Sequence, residues 1–134
     1  MKYFFFLFSI LVLASCNKGD QCDPSLYCNT TRMDSAFVNV TVSYSTNNNT
    51  PVPIAVYYED IEDNLLVLRD TLYQDRVSYY LKADERYSVK AVYSIPGGTI
   101  NAYDGGKLRV TSFTNCNDRC YEAPDLDLDL TLLD

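Results

Sequence analysis

The 134-residue chain contains no histidine and no tryptophan. Without histidine, Ser–His and Cys–His nucleophilic arrangements are excluded, because neither has its base. The missing tryptophan removes a stacking platform of the kind a glycosidase cleft uses, and paired carboxylates alone do not supply such a cleft. Cationic residues are also few: 11 Lys and Arg stand against 18 Asp and Glu, a net charge of −7. That balance argues against nucleic acid as a partner and against an electrostatic grip on anionic lipid, since both need clustered Lys or Arg. Only 5 glycines occur. Gly97-Gly98 and Gly105-Gly106-Lys107 lack the spacing of phosphate loops and fit tight turns. No apolar run approaches the roughly 20 residues a membrane-spanning helix needs.

What the chain does have begins with an address. Lys2 precedes an apolar run of 11 residues, Tyr3 to Leu13, followed by the small residues Ala14 and Ser15 and then Cys16. This is the layout of a secretory signal. Leu13-Ala14-Ser15-Cys16 resembles the lipobox of bacterial lipoproteins of the kind found in Bacteroidota. The resemblance implies that Cys16 is acylated on sulfur, that residues 1–15 are removed, and that the new amine is acylated too. The protein would then sit at the bacterial outer membrane with the lipid as its membrane partner. Two or three acyl chains, at about 0.8 kcal/mol per buried CH₂, hold stably where one is marginal. Removal of residues 1–15 leaves 119 of the 134 residues at a net charge of −8, because Lys2 is the only charge lost. Acidic residues soon after the acylated cysteine are associated with surface export; here only Asp20 and Asp23 serve, so the membrane face stays open.

Cysteine parity agrees with this reading. Five cysteines leave one unpaired in an exported chain, and a lipidated Cys16 leaves the even set Cys22, Cys28, Cys116 and Cys120. Those four could form a four-thiolate zinc site or two disulfides, and export favours disulfides. Three connectivities are open. If the first strand runs parallel to the last, cross-links such as Cys22–Cys116 become feasible; if antiparallel, the pairs close locally. A cross-link closes a loop worth roughly 4–5 kcal/mol in the chain-entropy model.

Residues 17–34 are polar and aperiodic, so 16–34 reads as a lipidated tether with a small cysteine loop and 35–134 as the folded domain. From Ser35 onward the period is two. "AFVNVTVSY", "VPIAVYY", "LLVLRDTL", "RVSYYLKA", "YSVKAVYSI", "TINAY", "KLRVTSFT" and "DLDLDLTLL" are eight candidate strands, separated by "STNNNTP", "EDIEDN", "DER", "DGG" and the loop "NCNDRCYEAP". That cadence predicts an all-β fold, a single antiparallel β-sandwich of about seven to eight strands after a helical signal peptide. Tyr87-Ser88-Val89-Lys90-Ala91-Val92-Tyr93 is similar to a "Y-x-V-x-A" strand of prealbumin-like (transthyretin-like) sandwiches, although the glycine usual before the Tyr is Arg86 here. The resemblance implies a sandwich and no particular activity. An immunoglobulin-like topology is equally open.

Candidate chemistry is sparse. Asp125, Asp127 and Asp129 alternate with leucines, which an amphipathic strand explains, and the Gly and Glu of a calcium loop are missing. Glu59, Asp60, Glu62 and Asp63 are a weak Ca²⁺ candidate, a solvated hairpin tip being the plainer reading; no cofactor is expected. Tyrosine is abundant at 12 residues. In the pairs Tyr57-Tyr58 and Tyr79-Tyr80 one member of each must face outward within a strand, where it suits contact with sugar or protein. Asp34-Ser35-Ala36 and Asp70-Thr71-Leu72 resemble Asp-Ser/Thr-aliphatic O-glycosylation sites of exported Bacteroidota proteins. The expectation is a non-enzymatic, membrane-anchored binding module for protein or glycan. The alternative is a structural or assembly component of the envelope or fimbriae that engages partners by β-strand addition.

Overall fold

The computed structural model describes residues 22–45 and 50–133, in which the expected all-β sandwich is present. The signal segment and Cys16 lie outside the described residues. Nine strands form among the described residues: β1 Ser35–Thr41, β2 Val52–Tyr58, β3 Leu65–Leu72, β4 Arg76–Lys82, β5 Arg86–Ile95, β6 Gly98–Lys107, β7 Thr111–Asn115, β8 Asp118–Glu122 and β9 Leu126–Asp129. One sheet has the order β4-β1-β9, the facing sheet β3-β2-β5-β6, and β7-β8 is a separate hairpin.

Period-two alternation drives this arrangement. Val38 and Val40 of β1, Ile54 and Val56 of β2, Tyr87, Val89 and Ala91 of β5, and Leu128 of β9 point into one core. Their β-branched and aromatic side chains suit a pleated surface. Tyr87 is the largest side chain buried completely, and its hydroxyl donates to the Lys82 carbonyl at 2.7 Å, so its polar end is satisfied. Two seams join the sheets. On one side Tyr79 of β4 donates to the Asp70 carboxylate of β3 at 2.6 Å. On the other, Asp104 of β6 accepts the Asp129 backbone N–H of β9 at 2.8 Å.

Three expectations are corrected. First, the sandwich is not wholly antiparallel: β1 and β9 are parallel, Val38 to Thr41 opposite Leu126 to Asp129. Second, Asp104-Gly105-Gly106 is not a turn but lies inside the ten-residue β6. Glycine serves here by its missing side chain. A Cβ on Gly105 would lie 2.9 Å from the Tyr87 carbonyl oxygen, and one on Gly106 would lie 2.6 Å from Leu126 Cδ1. The leucine of the facing sheet thus occupies the space that a side chain would need. "KLRVTSFT" consequently splits, Lys107 ending β6 and Thr111 opening β7. Third, "NCNDRCYEAP" is not a loop but the turn and second strand of the β7-β8 hairpin. Asn115 faces Asp118 across a two-residue connection, Cys116 and Asn117, with φ of 50° and 73°. Positive φ at both central positions is what a type I′ hairpin turn requires.

Candidate functional site

The parallel β1-β9 pair determines where the cysteines meet. It brings the start of β1, and the arm 22–34 before it, to the end of the sandwich where the β7-β8 hairpin lies. Cys22 is bonded to Cys116 and Cys28 to Cys120, with Cα separations of 4.4 and 4.9 Å. The small cysteine loop expected in the tether is therefore not formed: both arm cysteines reach across to the hairpin. Asn115 strengthens the join, its side chain accepting from the Asp23 N–H at 3.0 Å and donating to the Asp23 carbonyl at 2.9 Å. The Tyr121 N–H donates to the Asn29 carbonyl at 2.8 Å, and Arg32 pairs with Asp84 in the β4-β5 turn. Bonded cysteines of this kind belong to an oxidising, extracytoplasmic compartment.

The four singled-out tyrosines separate into three environments. Tyr80 projects from the outer face of the three-stranded sheet and is 63% exposed. Tyr79 points the other way, and its bond to Asp70 makes it a seam residue rather than a contact residue. Burial, reinforced by the Asp70 hydroxyl–carboxylate bond, pushes its ionisation well above the usual phenol range. Tyr57 and Tyr58 are both half-buried. Tyr58 lies against Tyr87, ring centroids 5.4 Å apart, while Tyr57 is on the opposite face of β2. Only one of the two adjacent pairs thus presents an open ring.

Sequence reasoning missed Tyr80's neighbour. Phe37 of β1 is directly opposite Tyr80 in the register, 46% exposed, with its ring centroid 5.1 Å from Tyr80's. Such spacing falls within the favourable range for an aromatic pair. The signal was available: Phe37 occupies the outward phase of "AFVNVTV", beside Asn39 and Thr41. Below the rings the same face carries a bonded polar row. Asn39 donates to Asp127 at 2.9 Å and accepts from Ser78 at 2.6 Å, while Arg76 donates to Asp127 at 2.9 Å. Asn39 is buried, yet all its polar atoms are used, so the row holds the central strand rigid beneath the rings.

The acidic run lies at one rim of a different depression. Ile61–Asp63 forms a single 3-10 turn. Ser88 Oγ donates to the Glu59 carbonyl at 2.6 Å, and Asp60 pairs with Arg86 at 3.5 Å. Asp60 and Glu62 border an open cleft of about 680 Å³ floored by Gly105, with Tyr103 on its wall. Among the described residues no group of three or more acidic, cysteine or histidine side chains is placed to hold a metal ion, so Glu59, Asp60, Glu62 and Asp63 are not drawn together around one point.

No family model matches the chain, and neither a curated protein nor a solved structure is found to match it.

Proposed function

We propose that this protein is a lipid-anchored, extracytoplasmic binding module that contacts a protein or glycan through the outer face of its three-stranded sheet, without catalysis. The observation that carries the reading is the exposed Phe37–Tyr80 pair above a fully bonded polar row. Two rings already held by a rigid sheet lose little freedom on binding, and they offer flat apolar area with a polar hydroxyl on the same sheet face as exposed Arg76 and Asp127. Cys16 supplies the anchor, the bacterial outer membrane being its site.

The test is to immobilise the mature domain and screen it against bacterial and host glycans and envelope proteins. A ligand found in this way is lost on Tyr80→Ala or Phe37→Ala and retained on Tyr57→Ala. Binding that survives both aromatic substitutions removes this face from consideration.

A second reading has its own observation. β3 is the outer strand of the four-stranded sheet and carries exposed Leu65 and Leu66. Such an edge is a template for a partner strand, as an envelope or fimbrial assembly component would use. That reading predicts a partner whose binding is indifferent to Phe37 and Tyr80.

A further inference from the structure

We infer that the end of the molecule formed by the arm and the β7-β8 hairpin is a lipid-contacting surface that lies against the bilayer and fixes the domain's orientation there. The inference rests on the reading of Cys16 as the lipid anchor. Chain length makes the first argument. Without the disulfides, the free tether would run from Cys16 to Ser35, where β1 starts, a reach of about 65 Å at full extension. The Cys22–Cys116 bond pins the arm to the folded hairpin. Only the steps from Cys16 to Cys22 remain, which span about 20 Å at most. Ten-residue strands such as β5 extend about 33 Å, so the tether is shorter than the sandwich is long.

The surface presented at that end makes the second argument. Leu26, Tyr27, Met33, Phe113, Tyr121 and Pro124 line a mostly apolar groove of about 680 Å³, with Asn29 and Glu122 also on its lining. Leu26 is 49% and Tyr27 83% exposed, on an arm that two disulfides prevent from turning away. Tyrosine and leucine projecting together suit the boundary between headgroups and acyl chains. A chain with a strong net negative charge has no electrostatic means of lying on a membrane, so such contact must be apolar. The opposite end carries the β3-β4 turn: Asp75 accepts from Val42, beyond the far end of β1. Tyr73 there, 65% exposed, is the natural control.

The absence of tryptophan provides the experiment. Tyr27→Trp in the full lipidated protein introduces a unique indole fluorophore, with Leu26→Trp as a second probe of the same surface and Tyr73→Trp as the distal probe. Each variant is reconstituted into phosphatidylcholine vesicles with and without brominated acyl chains, and flotation is scored in parallel. The inference expects bromine to quench roughly half the indole emission of the Tyr27→Trp and Leu26→Trp proteins, as for side chains about 5–10 Å into the boundary. Emission from the Tyr73→Trp protein is expected to be unaffected. Equal emission with and without bromine in both arm variants, in protein that floats, overturns the inference and leaves the anchor intact. Protein that does not float overturns the anchor and this inference with it.

Discussion

The sandwich and the arm-hairpin end obtain their order in different ways. In the sandwich, valines, tyrosines and leucines from both sheets bury one another, while polar side chains close its seams and bond across the outer face of the three-stranded sheet. Across the arm and the hairpin, Asn115 and Cys120 are the buried residues, and cross-links do the rest. A small exported domain can thus hold a segment that has too little apolar area to pack by itself. Residues 22–34 contribute one isolated bridge, Asn29 to Tyr121, and no strand, so their position depends on covalent bonds and on the hairpin that receives them.

Removing the cross-links should cost the most. The two bonds interleave, Cys22–Cys116 and Cys28–Cys120 spanning nearly the same stretch with sequence separations of 94 and 92, so either alone keeps the long loop closed. In the chain-entropy model, losing one costs about 3 kcal/mol, whereas losing both costs up to about 7 kcal/mol. Urea unfolding of single-pair and double-pair Cys→Ser variants measures this; equal losses from one pair and from both would contradict the shared closure of one long loop. Tyr87→Ala acts on the other region and should cost about 3–5 kcal/mol by cavity formation in the core. Limited proteolysis separates the two cases: one unlinked pair exposes the arm first, while Tyr87→Ala exposes the strands.

Titration distinguishes the two regions as well. Burial is the largest cause holding the Tyr79, Tyr87 and Tyr93 hydroxyls above their ordinary ionisation range. Their contribution is complete below the unfolded phenol value near pH 10 and is lost as pH rises above it toward the folded values. Absorbance titration should show these three ionising only with alkaline unfolding. At the arm end, the Val110 N–H is the chief cause lowering Asp84, with Arg32 adding to it. Stability from Asp84 is therefore present above the unfolded carboxylate range and is lost as pH falls through the lower folded value. Asp84→Asn should remove that acid sensitivity, measured as hydrogen exchange of residues 29–33 between about pH 5 and pH 2. The smallest effect on stability is expected from Tyr80→Ala, within about 0.5 kcal/mol because the ring lies outside the core.

Much of the architecture is legible in the sequence because its cause is local. Alternation in "AFVNVTV" and "DLDLDL" is visible in the letters and places Val38 and Leu128 inside. The misreadings share a reason: identical residue types serve opposite local structures. Asp104-Gly105-Gly106 has turn composition, yet the glycines answer to a neighbouring carbonyl and to Leu126, which only tertiary contact reveals. Cys116-Asn117 hides a type I′ turn because the first position lacks the usual Asn or Gly. Parity shows that four cysteines pair, but the partner choice depends on the parallel β1-β9 contact between distant segments. Tyr80 is legible as an outward ring, and the Phe37 partner escapes notice because it comes from another strand.

The connectivity also governs how the chain matures. Short loops close with the least entropy loss, so in an unfolded reduced chain Cys22 meets Cys28, and Cys116 meets Cys120, far more often than either meets its native partner. The folded bonds instead join the members of these local pairs across sequence separations of 94 and 92. Native oxidation therefore waits for the sandwich: β1 must dock beside β9 before the correct sulfurs are neighbours. The hydrophobic core is the template that selects one of three pairings, and oxidation ahead of folding leaves bonds that thiol–disulfide exchange has to undo.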